Sequence, residues 1–215
     1  MKYLINETFT SLQGEGAEIG KKAFFIRFYR CNLDCKWCDT NYARFGGEAK
    51  PYSSDQLLEL TPSNIPLVLT GGEPMLYPLW DFLTKYFRRE GRKADVEIET
   101  NGTIFDNYYY TKFTVSPKLA YLNDDYEKSL IKFEETYRAT FKFVVETKEE
   151  FDKTVELKDE LALSNVLIMP KGYTLEEQLI NSRNIAQWLI DDPRELNIRL
   201  VPRLHILIWG NTRGK

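Results

Sequence analysis

The run Lys22-Ala-Phe-Phe-Ile-Arg-Phe-Tyr29, followed by Arg30-Cys31-Asn-Leu-Asp-Cys35-Lys-Trp-Cys38, decides how the chain is read. The first half is rich in aromatic residues and reads as a core strand. The second half is a loop that holds all three cysteines of the chain. An odd number of thiols packed this tightly cannot form a disulfide framework. In a reducing compartment it reads as a metal or cluster site.

Short strand patterns recur downstream at Pro66–Thr70, Asp95–Thr100, Lys112–Val115, Thr140–Val145 and Asn165–Met169. Helical patterns lie between them at Ser54–Leu60, Leu79–Arg89, Tyr126–Tyr137, Lys148–Leu161 and Leu175–Ile190. Ser53 or Ser54, and Thr147, stand where N-caps belong. Strands alternating with helices imply a parallel α/β sheet. The unusual residues (the cysteines, Gly71–Pro74, Asn101-Gly102 and Ser116–Lys118) fall just after strands, where parallel α/β folds place their sites. A closed eight-unit barrel usually needs about 250 residues. Roughly six units are counted here, so the expected class is α/β, a partial, open (β/α)6-type barrel. No linker rich in Gly, Pro or Ser divides the chain, and residues 1–215 are expected to form one domain.

The chain is 43% hydrophobic and 28% charged with a formal net charge of −3, the composition of a soluble globular protein. That charge gives no reason to expect direct binding to nucleic acid or to an anionic membrane. The opening MKYLINETFTSLQGEG has no apolar run of a signal peptide, and no segment approaches a membrane span. The expected location is the cytoplasm.

Three cysteines leave one iron of a [4Fe–4S] cube without a thiolate. That corner is bound by something else or is open, and an open corner is where a chelating substrate binds. The competing metal is a structural zinc on Cys31, Cys35, Cys38 and the single histidine, His205. Structural zinc ligands usually come in close pairs, and His205 is remote in sequence. Thr70-Gly71-Gly72-Glu73-Pro74 closes a strand, and its glycines allow a close backbone approach to a ligand. Glu97 and Glu99 alternate to one face, either the barrel interior or the helix side. A carboxylate or Asn101 at that strand end could hold ribose hydroxyls, or Asn101-Gly102 is a simple turn.

CNLDCKWC, with Trp37 before its last cysteine, resembles the C-x3-C-x2-C signature of the radical S-adenosylmethionine (SAM) superfamily, and Gly71–Pro74 resembles its Gly-Gly-Glu-Pro motif. The resemblance implies a [4Fe–4S] cluster on Cys31, Cys35 and Cys38, with the amine and carboxylate of S-adenosylmethionine on the fourth iron. One electron then cleaves the sulfonium to a 5′-deoxyadenosyl radical. The implied cofactor-binding set is Trp37, Cys38, Asp39, Gly72, Glu73, Glu99, Asn101, Ser116, Pro117 and Lys118.

Further features narrow the resemblance. N-E-x-F with Leu12-Gln13-Gly14-Glu15-Gly16, then Arg27, Asp39-Thr40 after Cys38, Ser116-Pro117-Lys118, and the stretch from His205 to Gly214 occur in that order. Together they resemble the 7-carboxy-7-deazaguanine synthase family, from residue 3 to the C-terminus. The implied reaction contracts 6-carboxy-5,6,7,8-tetrahydropterin to 7-carboxy-7-deazaguanine with loss of ammonia, and regenerates S-adenosylmethionine. The implied substrate set is Leu12, Gln13, Gly14, Glu15, Arg27, Thr70 and His205. Mg²⁺ is implied on the Thr40 hydroxyl, with Asp39 beside S-adenosylmethionine or behind the ion. A flavodoxin-like reductant, a homodimer and a place in queuosine-type modification of tRNA, without contact to the tRNA, are implied as well.

On the chemistry of the residues alone, Arg27 offers a planar fork for a substrate carboxylate or an ordinary ion pair. An arginine on one face with Phe25 and Tyr29 in a core strand needs a partner. Gln13 and Glu15 suit the guanidine-like edge of a pterin, or are a polar loop. Lys118 holds adenosyl or carboxylate groups, or is solvated. His205 faces substrate, or is a satisfied histidine. Asp39-Thr40 binds the ion, or turns the chain and caps amides. Two places depart from the family pattern. Met169-Pro170 stands where several relatives carry a Gln, and Tyr42–Pro51 is the one sizeable insertion near the cysteines. The rival readings are a glycyl-radical-enzyme activase, an electron-transfer iron–sulfur protein and a zinc-stabilised Cys3His module. The first needs no Q-G-E-G or C-D-T, and the second wants a fourth cysteine.

Overall fold

Alternation along each strand sorts the chain into two faces. The computed structural model describes residues 2–45, 47–91 and 94–214. In chain order the strands and helices are β1 (Tyr3–Leu12), β2 (Lys22–Phe28), β3 (Lys50–Tyr52), α1 (Ser54–Leu60), β4 (Leu67–Gly71), α2 (Trp80–Glu90), β5 (Val96–Thr100) and β6 (Lys112–Val115). They continue with α3 (Asp124–Glu134), β7 (Ala139–Val145), α4 (Lys148–Glu160), β8 (Val166–Pro170), α5 (Leu175–Asp191), β9 (Ile198–Leu200) and α6 (Leu204–Trp209). The nine strands make one sheet in the order β3-β1-β2-β4-β5-β6-β7-β8-β9. Pairing is parallel from β2 to β9, while β1 and β3 run antiparallel at one edge. The two edge strands, β3 and β9, do not meet, so the barrel stays open as expected.

The core lies between the sheet and its helices. Phe24, Ile26 and Phe28 of β2, Leu67 and Leu69 of β4, Val96 and Ile98 of β5, and Phe113 and Val115 of β6 all point into it. Phe141, Phe143 and Val145 of β7 join them, with Phe82 and Leu83 of α2, Leu130 and Phe133 of α3, Phe151 and Val155 of α4 and Ile185 of α5. Each such side chain contributes about 1.5–3 kcal/mol when fully buried. The opposite face carries Ala23, Phe25 and Val68, a separate small cluster packed with Phe9. Phe9 and Phe25 stack with centroids 4.9 Å apart. Around them that face is polar, and there the site forms.

The observed elements match the expected alternation with four differences. The segment Tyr3–Leu12 is a ten-residue strand that pairs along β2. The Tyr42–Pro51 insertion returns to the sheet edge, where β3 pairs with β1; residue 46 lies outside the described residues. The third helix runs Asp124–Glu134 rather than Tyr126–Tyr137, because Asn123 caps its first turn. Finally, short β9 and α6, which the sequence pattern did not signal, complete the chain.

Candidate active site

Period-two alternation puts Arg27, Thr70, Glu97, Glu99, Thr114 and Lys142 on the inner face, which settles Glu97 and Glu99 as interior. The two glutamates bond to the threonines beside them and to Gln13. The Gln13 amide donates to Glu97 at 3.1 Å and to Glu99 at 2.9 Å, and its carbonyl accepts from the Glu15 amide. Thr70 donates to Glu99 at 2.7 Å, and Thr114 bonds to Glu97. Burial, then the neighbouring Glu99 charge, pushes the Glu97 carboxyl up to about 7. Arg27 donates through Nε to Glu7 of β1 at 2.8 Å, and Glu7 also accepts from Tyr42 and Arg213.

A buried charge network adjoins this wall. Glu15 accepts from Lys142 and, at 2.8 Å, from Arg203. Burial alone would raise the Glu15 carboxyl, but Lys142, Arg203 and His205 hold it well below the usual range. Arg203 also donates to the Gly172 carbonyl at 3.2 Å and to Asp39. His205 Nε2 lies 3.9 Å from Glu15, and its ring packs on Gly14 so closely that a Cβ there would fall 2.2 Å from Nδ1. Burial pushes the imidazole below its ordinary 6.5. Lys118 donates to Ser116 at 2.7 Å; burial, then the charge of Lys142, lowers it.

The cysteine loop hangs from the end of β2. Cys35 is buried and Cys31 and Cys38 are half-buried. Burial pushes the Cys31 and Cys35 thiols up. The Leu33 amide and the Asn101 side chain donate to Cys31 sulfur at 3.5 and 3.7 Å. The Gly71-Gly72 turn lies against this loop. A Cβ on Gly72 would sit 2.0 Å from the Arg30 carbonyl, and Gly71 has φ +145° against the Phe28 backbone. These glycines therefore serve the contact between two loops. Glu73 is fully buried, and its carboxylate accepts from Met75 N at 2.9 Å, Thr100 Oγ1 at 2.8 Å and Asn101 N at 2.7 Å.

All of this surrounds one cavity of about 460 Å³. Its walls include Leu12, Gln13, Gly14, Glu15, Arg27, Thr70 and His205 of the expected substrate set. They also include Trp37, Cys38, Asp39, Gly72, Glu99, Asn101, Ser116 and Lys118 of the cofactor set, and Cys31, Cys35 and Thr40. Two expected residues stay out of the wall. Glu73 spends its carboxylate on backbone and Thr100, and Pro117 is buried outside the cavity lining. Gln13 and Glu15 line the cavity with side chains already bonded within the wall. The zinc alternative fails on position, since His205 is packed on Gly14 and Glu15 rather than on the thiols. Sequence reasoning missed Lys142, Arg203 and Arg44. The need for a buried partner, applied to Arg27, also singles out Lys142 within TFKFVV. Arg203 follows Pro202 in a stretch with no periodic pattern, and nothing near it signals its role.

Residues 25–180 match the radical SAM superfamily. Over 131 residues, 60% of this chain and 59% of the relative, the sequence is 40% identical to the 7-carboxy-7-deazaguanine synthase of Haemophilus influenzae. It is 32% identical to that of Rhodopirellula baltica over 98% of this chain and 88% of the relative. The chain belongs to the 7-carboxy-7-deazaguanine synthase family. The crystal structure of QueE from Escherichia coli superposes with TM-score 0.73 at 26% identity, covering 95% of both chains. Enzymes of the 7-carboxy-7-deazaguanine synthase family use a [4Fe–4S] cluster, S-adenosylmethionine and Mg²⁺.

The residues present fit these groups. Three thiols share one cavity with a buried, unsatisfied Arg44 Nε among them. Thr40 Oγ1 lies 3.6 Å from Cys38 sulfur, while the neighbouring Asp39 is engaged by Arg203. The Thr40 hydroxyl and the free oxygen of Asp39 thus both lie near the cysteines, and one protein oxygen suits an ion that keeps several waters. Among the described residues, no helix is long and apolar enough to cross a membrane.

Proposed function

We propose that this chain is a 7-carboxy-7-deazaguanine synthase that contracts 6-carboxy-5,6,7,8-tetrahydropterin to 7-carboxy-7-deazaguanine and releases ammonia. One observation carries this reading: Gln13, Glu15, Arg27, Thr70 and His205 line the same cavity as Cys31, Cys35 and Cys38. When bound to those cysteines, the cluster with S-adenosylmethionine supplies one-electron chemistry and a hydrogen-abstracting radical. The chain's own residues select and hold the pterin.

Glu7 takes the Nε–H of Arg27 and so leaves the terminal nitrogens to the substrate carboxylate. Glu15, kept ionised, accepts from the guanidine-like edge, exchanging part of its bonding to Lys142 and Arg203 for bonds to the pterin. Gln13 is braced by Glu97 and Glu99 and fixes the loop that presents Glu15. His205, uncharged near neutral pH, packs beside that loop and contributes a neutral donor or acceptor. Thr40 binds Mg²⁺ beside the substrate carboxylate. Asn101, Glu99, Ser116, Lys118 and Trp37 face S-adenosylmethionine, with Glu73 and Pro117 holding the loops that carry them. A flavodoxin-like electron donor and a homodimer belong to the same proposal, and the product feeds queuosine-type modification of tRNA.

The test is anaerobic turnover by the reconstituted protein with a chemical one-electron donor. 7-Carboxy-7-deazaguanine and one ammonia per pterin consumed are expected in wild type, and neither in Cys38→Ala. A fully loaded wild-type protein that leaves the pterin unchanged overturns the assignment.

A further inference from the structure

Arg44 lies in the run after the cysteines, yet its guanidinium returns among them. It is 4% exposed. One terminal nitrogen donates to the Cys35 carbonyl at 2.7 Å and the other to Asp34. Phe45 covers it, with the ring centroid 4.9 Å from Cζ. The run is anchored by the Arg30 amide, which donates to the Ala43 carbonyl at 2.8 Å. The third guanidinium nitrogen, Nε, is buried and its N–H has no hydrogen-bond partner among the described residues. A buried donor left without an acceptor destabilises the fold, because its lost hydration is not replaced. Arg44 lines the cavity together with Cys31, Cys35 and Cys38. An unspent donor on a buried cation beside Cys38 and the other two thiols is matched to a sulfur acceptor, the Cys38 thiolate or a cluster sulfide. Cluster sulfurs are such acceptors, and hydrogen bonds and charge around them set the reduction potential.

We propose that Arg44 is a positioning residue for the cluster, whose Nε–H bonds to a cluster or Cys38 sulfur and whose charge favours the reduced state. Reduction adds one electron from the external donor and makes the cluster more negative, and no bond of Arg44 forms or breaks covalently. The proposal rests on the reading of Cys31, Cys35 and Cys38 as cluster ligands.

Wild type, Arg44→Gln, Arg44→Lys and Asp34→Asn are reconstituted anaerobically, and iron and sulfide per chain are measured first. Wild type without a full complement of iron and sulfide brings down the ligand assignment itself. Electron paramagnetic resonance at a series of poised potentials then reads the reduced fraction. At the potential that half-reduces wild type, Arg44→Gln is expected to show a roughly tenfold lower ratio of reduced to oxidised cluster. For a one-electron couple that corresponds to a midpoint about 59 mV more negative. Arg44→Lys keeps the charge without the Nε–H and falls between. Asp34→Asn removes only the exposed partner of the guanidinium and does not move the potential negative. A wild-type potential in Arg44→Gln with full cluster overturns the proposal. So does loss of the cluster in both Arg44 variants, which would make Arg44 a structural staple of the loop.

Discussion

The carboxylate of Glu73 accepts three hydrogen bonds and reaches no solvent. Burial pushes it up to about 7, although the three donors favour the charged form. Its oxygens join the turn after β4 to the end of β5, so it fixes Asn101, which in turn donates to Cys31. In Glu73→Gln one amide nitrogen replaces an acceptor, and whichever flip is adopted, a donor meets a donor. The expected cost is about 1–3 kcal/mol, read by urea unfolding of the ligand-free protein. Unchanged stability would show that the Asn101 amide has another partner. The sequence motif made Gly72-Glu73 legible as part of a site. It did not say that the carboxyl turns inward, because residue type fixes chemistry and only the backbone fixes direction. Arg44 was hidden for the same reason: nothing in Tyr42–Pro51 announces that its guanidinium folds back onto the cysteines.

Among the elements, those with strong local signals were legible. Ser53 with Gln56 and Thr147 with Glu150 form capping boxes at the expected helix starts. A third box, Thr174 with Glu177, opens α5. One turn later Gln178 donates to the carbonyls of Pro170 and Gly172 and accepts from the Arg203 amide, so this cap steadies the site wall. Thr174→Ala is expected to cost about 1 kcal/mol in chemical unfolding, with Thr174→Ser close to wild type. A neutral Thr174→Ala would mean that α5 is held by packing alone. The strands that escaped notice lack such signals. β1 buries few of its residues, because the polar site covers much of one face. β3 and β9 have three residues each and take their conformation from β1 and β8. α6, Leu204–Trp209, is too short and too uniformly apolar to show a helical period.

Across the whole molecule, one face of the sheet is apolar and the other concentrates ionisable groups, so folding stability must depend on pH. Two opposing sets of groups decide the sign. Glu15 is held well below 4.5 by its cations. Its contribution is complete above 4.5 and is lost as pH falls through the lower folded value. Glu73 and Glu97 are pushed from 4.5 up to about 7. Their contribution is complete below 4.5 and is lost as pH rises to about 7, since the unfolded chain releases these protons first. His205, held below 6.5, opposes this trend, but it is one group against two. The ligand-free protein is therefore expected to be most stable near about pH 5 and less stable at about pH 7.5. Urea unfolding at constant ionic strength measures this. Glu97→Gln separates the causes, because its amide still accepts from Gln13 and donates to Thr114 but has no proton to lose. Its free energy should fall less over the same interval than that of wild type. A wild-type free energy that climbs steadily from about pH 5 to 7.5 would show both carboxyls ionised in the folded chain. The inner face would then carry one more negative charge, on Glu97, and the turn after β4 another, on Glu73.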